Sequence, residues 1–235
     1  AVVTAGAHLP SEVHEIAQRI NQRLKADRTV THHARPEAAG IEALVTEMKA
    51  GRVSTLLILG GNPVFTAPAD LGFADALAKV GTTIHLAASV DETSSRCTWH
   101  LNAAHYLESW DDVAAFDGTP GVVQPLIRPL FDGRTASEVL ARFTGEREKK
   151  GYDLVRETWK KSVLTSGDFE TAWRKVLHDG FLTRPAGPSA NSRSSQSDSD
   201  LMKSMKAAPT DGLEVVFRAD SCIGDGRQAN NGWLQ

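Results

Sequence analysis

Residues 53–63, with the sequence VSTLLILGGNP, decide the fold of this chain. The continuous apolar run from Leu56 to Leu59 is typical of a strand that is buried in a parallel sheet. Gly60 and Gly61 can adopt positive φ and let backbone or ligand approach closely, while Pro63 restricts the exit from the turn. Because ligands of open α/β sheets bind at the carboxyl ends of strands, this loop is the first candidate for a functional site. A strand-to-helix corner without any ligand needs the same residues.

Helical and strand patterns alternate on both sides of this stretch. Apolar spacing predicts three helices, each carrying one apolar face: Val13, Ile16, Ala17, Ile20 and Leu24 after an N-cap at Ser11; Ile41, Leu44, Val45 and Met48; and Phe73, Ala76, Leu77 and Val80. Strands are predicted over residues 1–5, 28–32, 53–59, 82–87 and 98–101. This order predicts an α/β fold of the Rossmann-like three-layer α/β/α type, with a mostly parallel sheet.

The second half of the chain is less regular. Residues 105–134 are expected to be irregular, since three prolines interrupt any helix there. A capping-box pattern from Thr135 to Glu138 predicts a helix start, and further helices are predicted near 152–163 and 168–178.

Together with the composition, these patterns predict four segments. These are a Rossmann-like domain over 1–145, a helical extension over 146–183, a flexible Ser- and Pro-rich linker or loop over 184–210, and a C-terminal strand (213–217) with an irregular tail over 211–235. Because the chain starts without methionine and stops after a Gly/Asn-rich stretch, we expect it to be a piece of a longer protein whose next domain follows the tail.

Composition also limits the classes of partner. The net charge of −3 predicts no strong attraction to nucleic acid or anionic membranes, and no apolar run is long enough to span a bilayer. The two cysteines, Cys97 and Cys222, are too few for an iron–sulfur cluster, which usually takes four cysteine ligands.

Familiar catalytic and phosphate-binding motifs are missing from the sequence. It contains no P-loop, no G-x-G-x-x-G fingerprint and no G-x-S-x-G elbow. His100, His105 and Glu108 lie close together in sequence and could do acid–base work or bind a metal. The simpler interpretation, which we favour, is a polar loop that is held together by hydrogen bonds.

Several short motifs occur in a fixed order along the chain. The central ones are Gly60-Gly61-Asn62-Pro63, Pro68-Ala69-Asp70, Asp91-Glu92-Thr93, and His100-Leu101-Asn102 followed by Glu108. In this order they resemble the third domain of molybdopterin oxidoreductases of the dimethyl sulfoxide reductase superfamily. One departure is Asn102, which stands where the family has proline.

Further motifs narrow the resemblance to one branch of that superfamily. They are Val13-His14 with Ile20-Asn21, the run Gln124 to Leu130, the run Leu177 to Phe181, and the run Asp225 to Gln235. Together they resemble the large iron–sulfur subunit of bacterial alternative complex III, a molybdopterin oxidoreductase-like iron–sulfur protein. The resemblance covers nearly the whole chain, and residues 1–145 would be its molybdopterin-oxidoreductase domain.

The resemblance implies a function for the parent protein rather than for this segment. That subunit passes electrons from a membrane quinol toward an acceptor in a respiratory chain. Its iron–sulfur clusters lie in a separate domain, which we expect in the missing part of the parent. Expected partners are that domain and the other subunits of the complex, with no nucleic acid and no direct membrane span. The expected location is the periplasmic face of the bacterial inner membrane, after twin-arginine export.

The candidate site follows from the same resemblance. In active relatives the Gly-x-Asn-Pro loop contacts a pterin–guanine dinucleotide, which implies a vestigial cofactor site made of Gly60, Gly61, Asn62, Pro63, Asp91, Glu92 and Thr93. No catalytic residue, no metal ligand and no cofactor is predicted for this segment, and a retained molybdopterin is the disfavoured alternative. Three functions stay open: a non-catalytic structural module, the pterin-binding domain of an active enzyme, and a small-ligand binding domain.

Overall fold

The computed structural model describes residues 1–6, 8–26, 40–115, 117–147 and 149–183, together with scattered positions between 200 and 233. The chain divides into two compact units. The terminal unit comprises Ala1–Pro36 with Pro188–Gln235, and the central unit comprises Glu37–Gly187. In the described part of the chain, no helix has the length and apolar character needed to cross a membrane.

The terminal unit contains helix α1, Ser11–Arg23. Pro10, not Ser11 as predicted, occupies the N-cap position, and Ser11 is the first helical residue. The predicted strand over residues 1–5 is wrong, because these residues form no strand. Instead the buried Asn21 side chain accepts the Val3 backbone N–H and donates to the Val3 carbonyl, at 2.7 Å each. A side-chain amide thus takes the place of a neighbouring strand.

Other predictions for the terminal unit fall largely on residues that the structure does not describe. These are the strand over 28–32, most of the linker over 184–210, and most of the strand over 213–217. Near the C-terminus, the described residues form turns at 221–223, 226, 228 and 232–233. A tight turn is fixed by Asp220, whose carboxylate accepts the backbone N–H groups of Cys222 and Ile223, and these bonds lower its pKa.

The central unit begins with helix α2 and continues through three parallel strands. In chain order its elements are α2 Ile41–Lys49, β1 Thr55–Leu59, α3 Pro63–Thr66, α4 Phe73–Leu77, β2 Thr82–Ala87, β3 Trp99–Asn102, β4 Asp111–Ala114, β5 Pro120–Val123, α5 Ala136–Phe143, α6 Gly151–Thr158 and α7 Phe169–Asp179. A short π-helix, Trp159–Val163, extends α6. The unit is therefore a mixed α/β structure.

The parallel sheet has the strand order β1-β2-β3. All three strands lie within a residue or two of their predicted positions. Strand β2 is central and largely buried, whereas β1 has one neighbour among the described strands and is only half-buried. The apolar run Leu56 to Leu59 is therefore less deeply buried than the sequence predicted. One of its faces, with Leu56 and Ile58, packs on a helical core, while Leu59 stays 38% exposed.

Helices α2 and α4 supply that core. Its buried members come from both helices and the following turn: Val45, Met48, Phe73, Ala76, Leu77 and Val80. These are the apolar positions that the helical periodicity predicts. Full burial of each such side chain stabilises the fold by roughly 1.5–3 kcal/mol, so this layer anchors the sheet.

An antiparallel pair of strands lies within the region that was predicted to be irregular. Strand β4 pairs with β5 in the register Asp111 to Val123 through Ala114 to Pro120. That prediction was wrong because it treated each proline only as a helix breaker. Pro120 is the first residue of β5, a position where a strand tolerates the missing N–H.

A second core joins the C-terminal helices of the central unit. Val155 and Trp159 pack with Trp173 and Val176, and the two indole rings lie 5.7 Å apart. Helix α5 begins with the predicted capping box: the Thr135 side chain accepts the Glu138 N–H, and Glu138 accepts the Thr135 N–H. Helix α7 is capped by Asp168, whose bonds to Thr171 lower the pKa of that carboxyl.

Candidate functional site

The predicted loop after β1 has the geometry that its glycines suggested. Gly60 and Gly61 have φ of +75° and +72°, in the left-handed region that favours glycine. The Gly60 N–H donates to the Leu86 carbonyl at 2.9 Å, which ties the loop to the end of β2. Pro63 then becomes the first residue of α3, where its fixed φ suits a helix start. Loop and helix therefore form a tight corner at the carboxyl edge of the sheet.

Asn62 fastens this loop to the segment that follows β2. Its Oδ1 accepts the Thr93 hydroxyl at 2.7 Å and the Thr93 N–H at 3.2 Å, and its Nδ2 donates to Glu92 at 2.6 Å. The Thr93 hydroxyl oxygen in turn accepts the Val64 N–H at 3.0 Å. Two loops that are thirty residues apart in sequence are thus joined through the amide of one asparagine. The structure therefore brings three residues of the predicted site, Asn62, Glu92 and Thr93, together.

A buried histidine lies beneath this corner. His85 is fully buried in β2, with Nε2 at 2.9 Å from the Gly61 carbonyl and Nδ1 at 2.8 Å from the Ser94 hydroxyl. Because a carbonyl can only accept, Nε2 carries the hydrogen, and in the neutral ring Nδ1 accepts from Ser94. The Ser94 oxygen is then available to accept from His100 Nδ1, at 3.0 Å. The chain of bonds ends at a backbone carbonyl.

Asp91 completes this network, which we call the strand-end corner: residues 60–64 and 91–95 with His85 and His100. Its Oδ1 accepts the Ser94 N–H at 2.8 Å and lies 3.5 Å from His85 Nδ1. Serine, histidine and aspartate are therefore adjacent, but serine and aspartate face the same ring nitrogen. In a catalytic triad they engage opposite nitrogens, so the aspartate can orient the base. The arrangement holds loops together and lacks the geometry of an activated nucleophile.

Of the predicted cluster of His100, His105 and Glu108, the last two belong to a hydrogen-bonded loop, whereas His100 lies in β3 and bonds to Ser94. The His105 N–H donates to Glu108 at 3.2 Å, and the His105 ring accepts the Leu107 N–H at 3.3 Å. Glu108 also accepts the Leu130 N–H at 3.4 Å. Over the described ranges, no group of three or more His, Cys, Asp or Glu side chains is arranged to hold a metal ion.

The two cysteines are free thiols. Cys97 is half-buried beside the α2–α4 core, and burial raises the pKa of its thiol. A raised thiol pKa leaves little thiolate near neutral pH and so favours an unreactive side chain.

A crevice of about 300 Å³ lies at the carboxyl ends of the parallel strands, where α/β proteins bind ligands. Its lining includes Leu59, Gly60, Leu86 and Ala103 from the strand ends. Of the predicted site residues, all of which the structure describes, only Gly60 contributes to that lining. Asn62 and the 91–93 segment instead contact each other.

Larger cavities, which the sequence analysis missed, are lined mainly by residues after β5, together with residues of β3 and of the loop that follows β3. A cavity of about 500 Å³ is lined by all six Lys and Arg residues between positions 128 and 150: Arg128, Arg134, Arg142, Arg147, Lys149 and Lys150. A neighbouring cavity of about 750 Å³ shares Arg134, Arg142 and Arg147. We call the two cavities together the basic cleft. Its signal in the sequence was weak, namely six Lys and Arg residues against four Asp and Glu residues over 128–150 in a chain whose net charge is negative.

No protein-family model matches this chain, and no curated protein sequence matches it significantly.

Proposed function

We propose that this chain is a non-catalytic structural module of a respiratory electron-transfer subunit, of the quinol-oxidising alternative complex III type. The ordered motifs between Gly60 and Glu108 provide the link to that family. Its work would be to pack against the iron–sulfur domain of the same parent and against other subunits of the complex.

The saturated strand-end corner is the observation that carries this proposal. In the superfamily this loop would meet a pterin, yet here the Asn62 amide is engaged by Glu92 and Thr93. The Gly61 carbonyl is likewise engaged, by His85. A ligand could reach these groups only by replacing hydrogen bonds that already exist, which offsets most of what it would gain. A corner whose polar groups bond to one another is what a structural descendant of a cofactor domain predicts.

Exposed apolar side chains support a role in assembly. In the segment between β5 and α5, Leu126 is 77% exposed and Phe131 is 78% exposed. Leu130, in the same segment, is 69% exposed. Apolar surface of this kind on a protein marks a site of contact with other molecules.

The sheet supports the same origin. Three parallel strands with α2 and α4 packed on one face match half of a Rossmann-like layer arrangement. We propose that the complete parent domain is a three-layer α/β/α structure, in which a second helical layer covers the face that carries Leu57 and Leu59. The expected location of the parent, on the periplasmic face of the inner membrane, belongs to this proposal.

Metal and cofactor analysis of the full-length parent tests the proposal. We expect iron and labile sulfide from its separate cluster domain, and neither molybdenum nor a guanine dinucleotide after acid extraction. Stoichiometric molybdenum with the dinucleotide would instead establish the alternative, a pterin-binding domain of an active oxidoreductase.

A small-ligand binding domain is the third candidate, and the crevice at the strand ends favours it. Calorimetry of the chain with nucleotides separates this candidate from the others, since binding there would depend on Gly60 and on the crevice lining. A Gly60→Ala variant, which changes one residue of that lining, should then weaken ligand binding, with the fold checked by circular dichroism.

A further inference from the structure

The basic cleft contains more cationic side chains than form ion pairs with the described carboxylates. Six cationic side chains line its smaller cavity against two carboxylates, Glu108 and Glu138, an excess of four positive charges. The whole chain, by contrast, carries a net charge of −3. Like charges gathered in one concave site repel each other and raise the local concentration of anions.

The two carboxylates of the smaller cavity do not neutralise the arginines, and Asp132 in the larger cavity pairs with Arg134. Glu138 accepts the Thr135 N–H at 3.0 Å with one oxygen and the Gly151 N–H at 2.9 Å with the other. Glu108 is similarly divided between the backbone N–H groups of His105 and Leu130. Both carboxylates therefore shape the walls, because they join α5 to the start of α6 and one loop to the next.

Most of the cations, in contrast, have unused hydrogen-bonding capacity. Arg134 pairs with Asp132, and Lys149 pairs with Glu146 and Glu157, which raises the lysine's pKa. Within the described residues, the side chains of the remaining four form no ion pair or hydrogen bond: Arg128, Arg142, Arg147 and Lys150. Three of these four are arginines, whose planar forks suit the oxygens of phosphate or carboxylate groups.

The larger cavity adds an apolar half to the site. Arg134, Arg142 and Arg147 line both cavities, and the walls of the larger one include Leu101, Phe131, Val139 and Phe143. A ligand that spans the two cavities would place an anionic group on the arginines and an apolar body against these side chains. Small-molecule sites typically have this combination of apolar lining and a few convergent polar groups.

We propose that the basic cleft binds an organic phosphate, with the phosphate on Arg142 and Arg147 and the apolar part of the molecule against Phe131 and Phe143. A soluble phosphorylated metabolite and the headgroup of an anionic lipid share this chemistry. The larger cavity meets the strand-end corner at His100, but the arginines that would hold the phosphate lie outside the corner. The proposal does not depend on the identity of the parent complex.

Isothermal titration calorimetry of the whole chain tests the proposal with four probes: inorganic phosphate, adenosine monophosphate, and dihexanoyl phosphatidylglycerol and phosphatidylcholine below their micelle concentrations. We expect adenosine monophosphate or the anionic lipid to bind at least tenfold more tightly than inorganic phosphate. Whichever of the two binds identifies the source of the phosphate. No binding of either at millimolar concentration, or equal binding of phosphatidylcholine, would overturn the proposal.

Charge-reversal variants locate the binding. The double variant Arg142→Glu with Arg147→Glu should weaken binding at least tenfold. A matched control, Lys79→Glu with Arg174→Glu, changes the net charge equally on exposed positions outside the cleft and should bind like the wild type. Arg142→Gln with Arg147→Gln gives the same test with less risk to folding, checked by circular dichroism. An equal loss in the control would show non-specific attraction and refute the assignment.

Discussion

The strand-end corner and the basic cleft are both polar regions of the central unit, but they differ in how their side chains are satisfied. In the corner, Asn62, His85 and Ser94 each bond to neighbouring protein groups. In the cleft, four cations form no bond to any described residue. Polar residues after a parallel strand are therefore no sufficient sign of a ligand site. Unused hydrogen-bonding capacity is a better sign, since an internal bond must be broken before the group can recognise a ligand.

The largest expected effect is loss of His85 from the corner. In His85→Ala the Gly61 carbonyl and the Ser94 hydroxyl lose their shared partner, and a cavity remains in β2. We expect the free energy of unfolding to fall by about 3 kcal/mol, measured by urea denaturation. The control His178→Ala removes an 87% exposed ring and should change it by less than about 0.5 kcal/mol. Equal losses of stability in His85→Ala and His178→Ala would contradict the role of His85 in the corner.

Removal of the Asn62 amide tests the bridge between the two loops. Asn62→Ala leaves the Thr93 N–H and hydroxyl and the Glu92 carboxylate without this partner, and should cost about 2 kcal/mol. Asn102→Ala is the matched control, because that exposed amide makes a single hydrogen bond within the described residues, at 3.2 Å to the Phe131 carbonyl. If thermal melting showed Asn62→Ala to be harmless, the corner would not be held by this residue.

Backbone strain gives the next smaller effect. Gly61 has φ of +72°, and a Cβ built there meets no atom within 4 Å. Gly61→Ala should therefore cost only the strain of the left-handed conformation, about 1 kcal/mol. Asparagine tolerates this conformation better, so Gly61→Asn should cost less than Gly61→Ala. The opposite order in chemical denaturation would mean that side-chain contacts, not φ, decide the position.

Lys149 differs from the four unpaired cations of the cleft, because its side chain forms ion pairs with carboxylates. Bonds from Lys149 and Lys161 lower the pKa of Glu157 from 4.5 to about 2. A depressed carboxylate pKa contributes stability that is present above pH 4.5 and is lost as the pH falls toward 2. The difference in unfolding free energy between the wild type and Glu157→Gln should therefore shrink between pH 6 and pH 2. A difference that stays constant over this range would contradict the pairing.

The smallest effect is expected for an unpaired cation of the cleft. Without ligand, Arg147→Gln should change the free energy of unfolding by no more than about 0.5 kcal/mol, because the exposed side chain has no bond to lose. Lys79→Gln, on an exposed position outside the cleft, should behave alike. A loss above about 1.5 kcal/mol in Arg147→Gln alone would mean that the arginine supports the fold, and the contrast between the regions would fail.

Prediction from the sequence succeeded where a short sequence pattern has only one structural outcome. The periodicity of Phe73, Ala76 and Leu77 predicted a buried helix face, and the Thr135–Glu138 pattern predicted a capping box. It failed for β4 and β5, because Pro120 was interpreted only as a residue that interrupts a helix, whereas it is the first residue of a strand. The basic cleft was missed since its six cations are spread over 23 positions, and only folding gathers them around one cavity.

The sequence by itself determined the parallel strands at 55–59 and 82–87, the glycine corner after the first, and the order of motifs that suggests a family. These depend on φ restrictions and on apolar spacing, which act over a few residues. Only the tertiary structure decided that the Asn62 side chain bonds to Thr93, while the side chains of Arg142 and Arg147 pair with no described residue. Whether a polar group meets a partner depends on residues distant in sequence, and that is set when the chain packs.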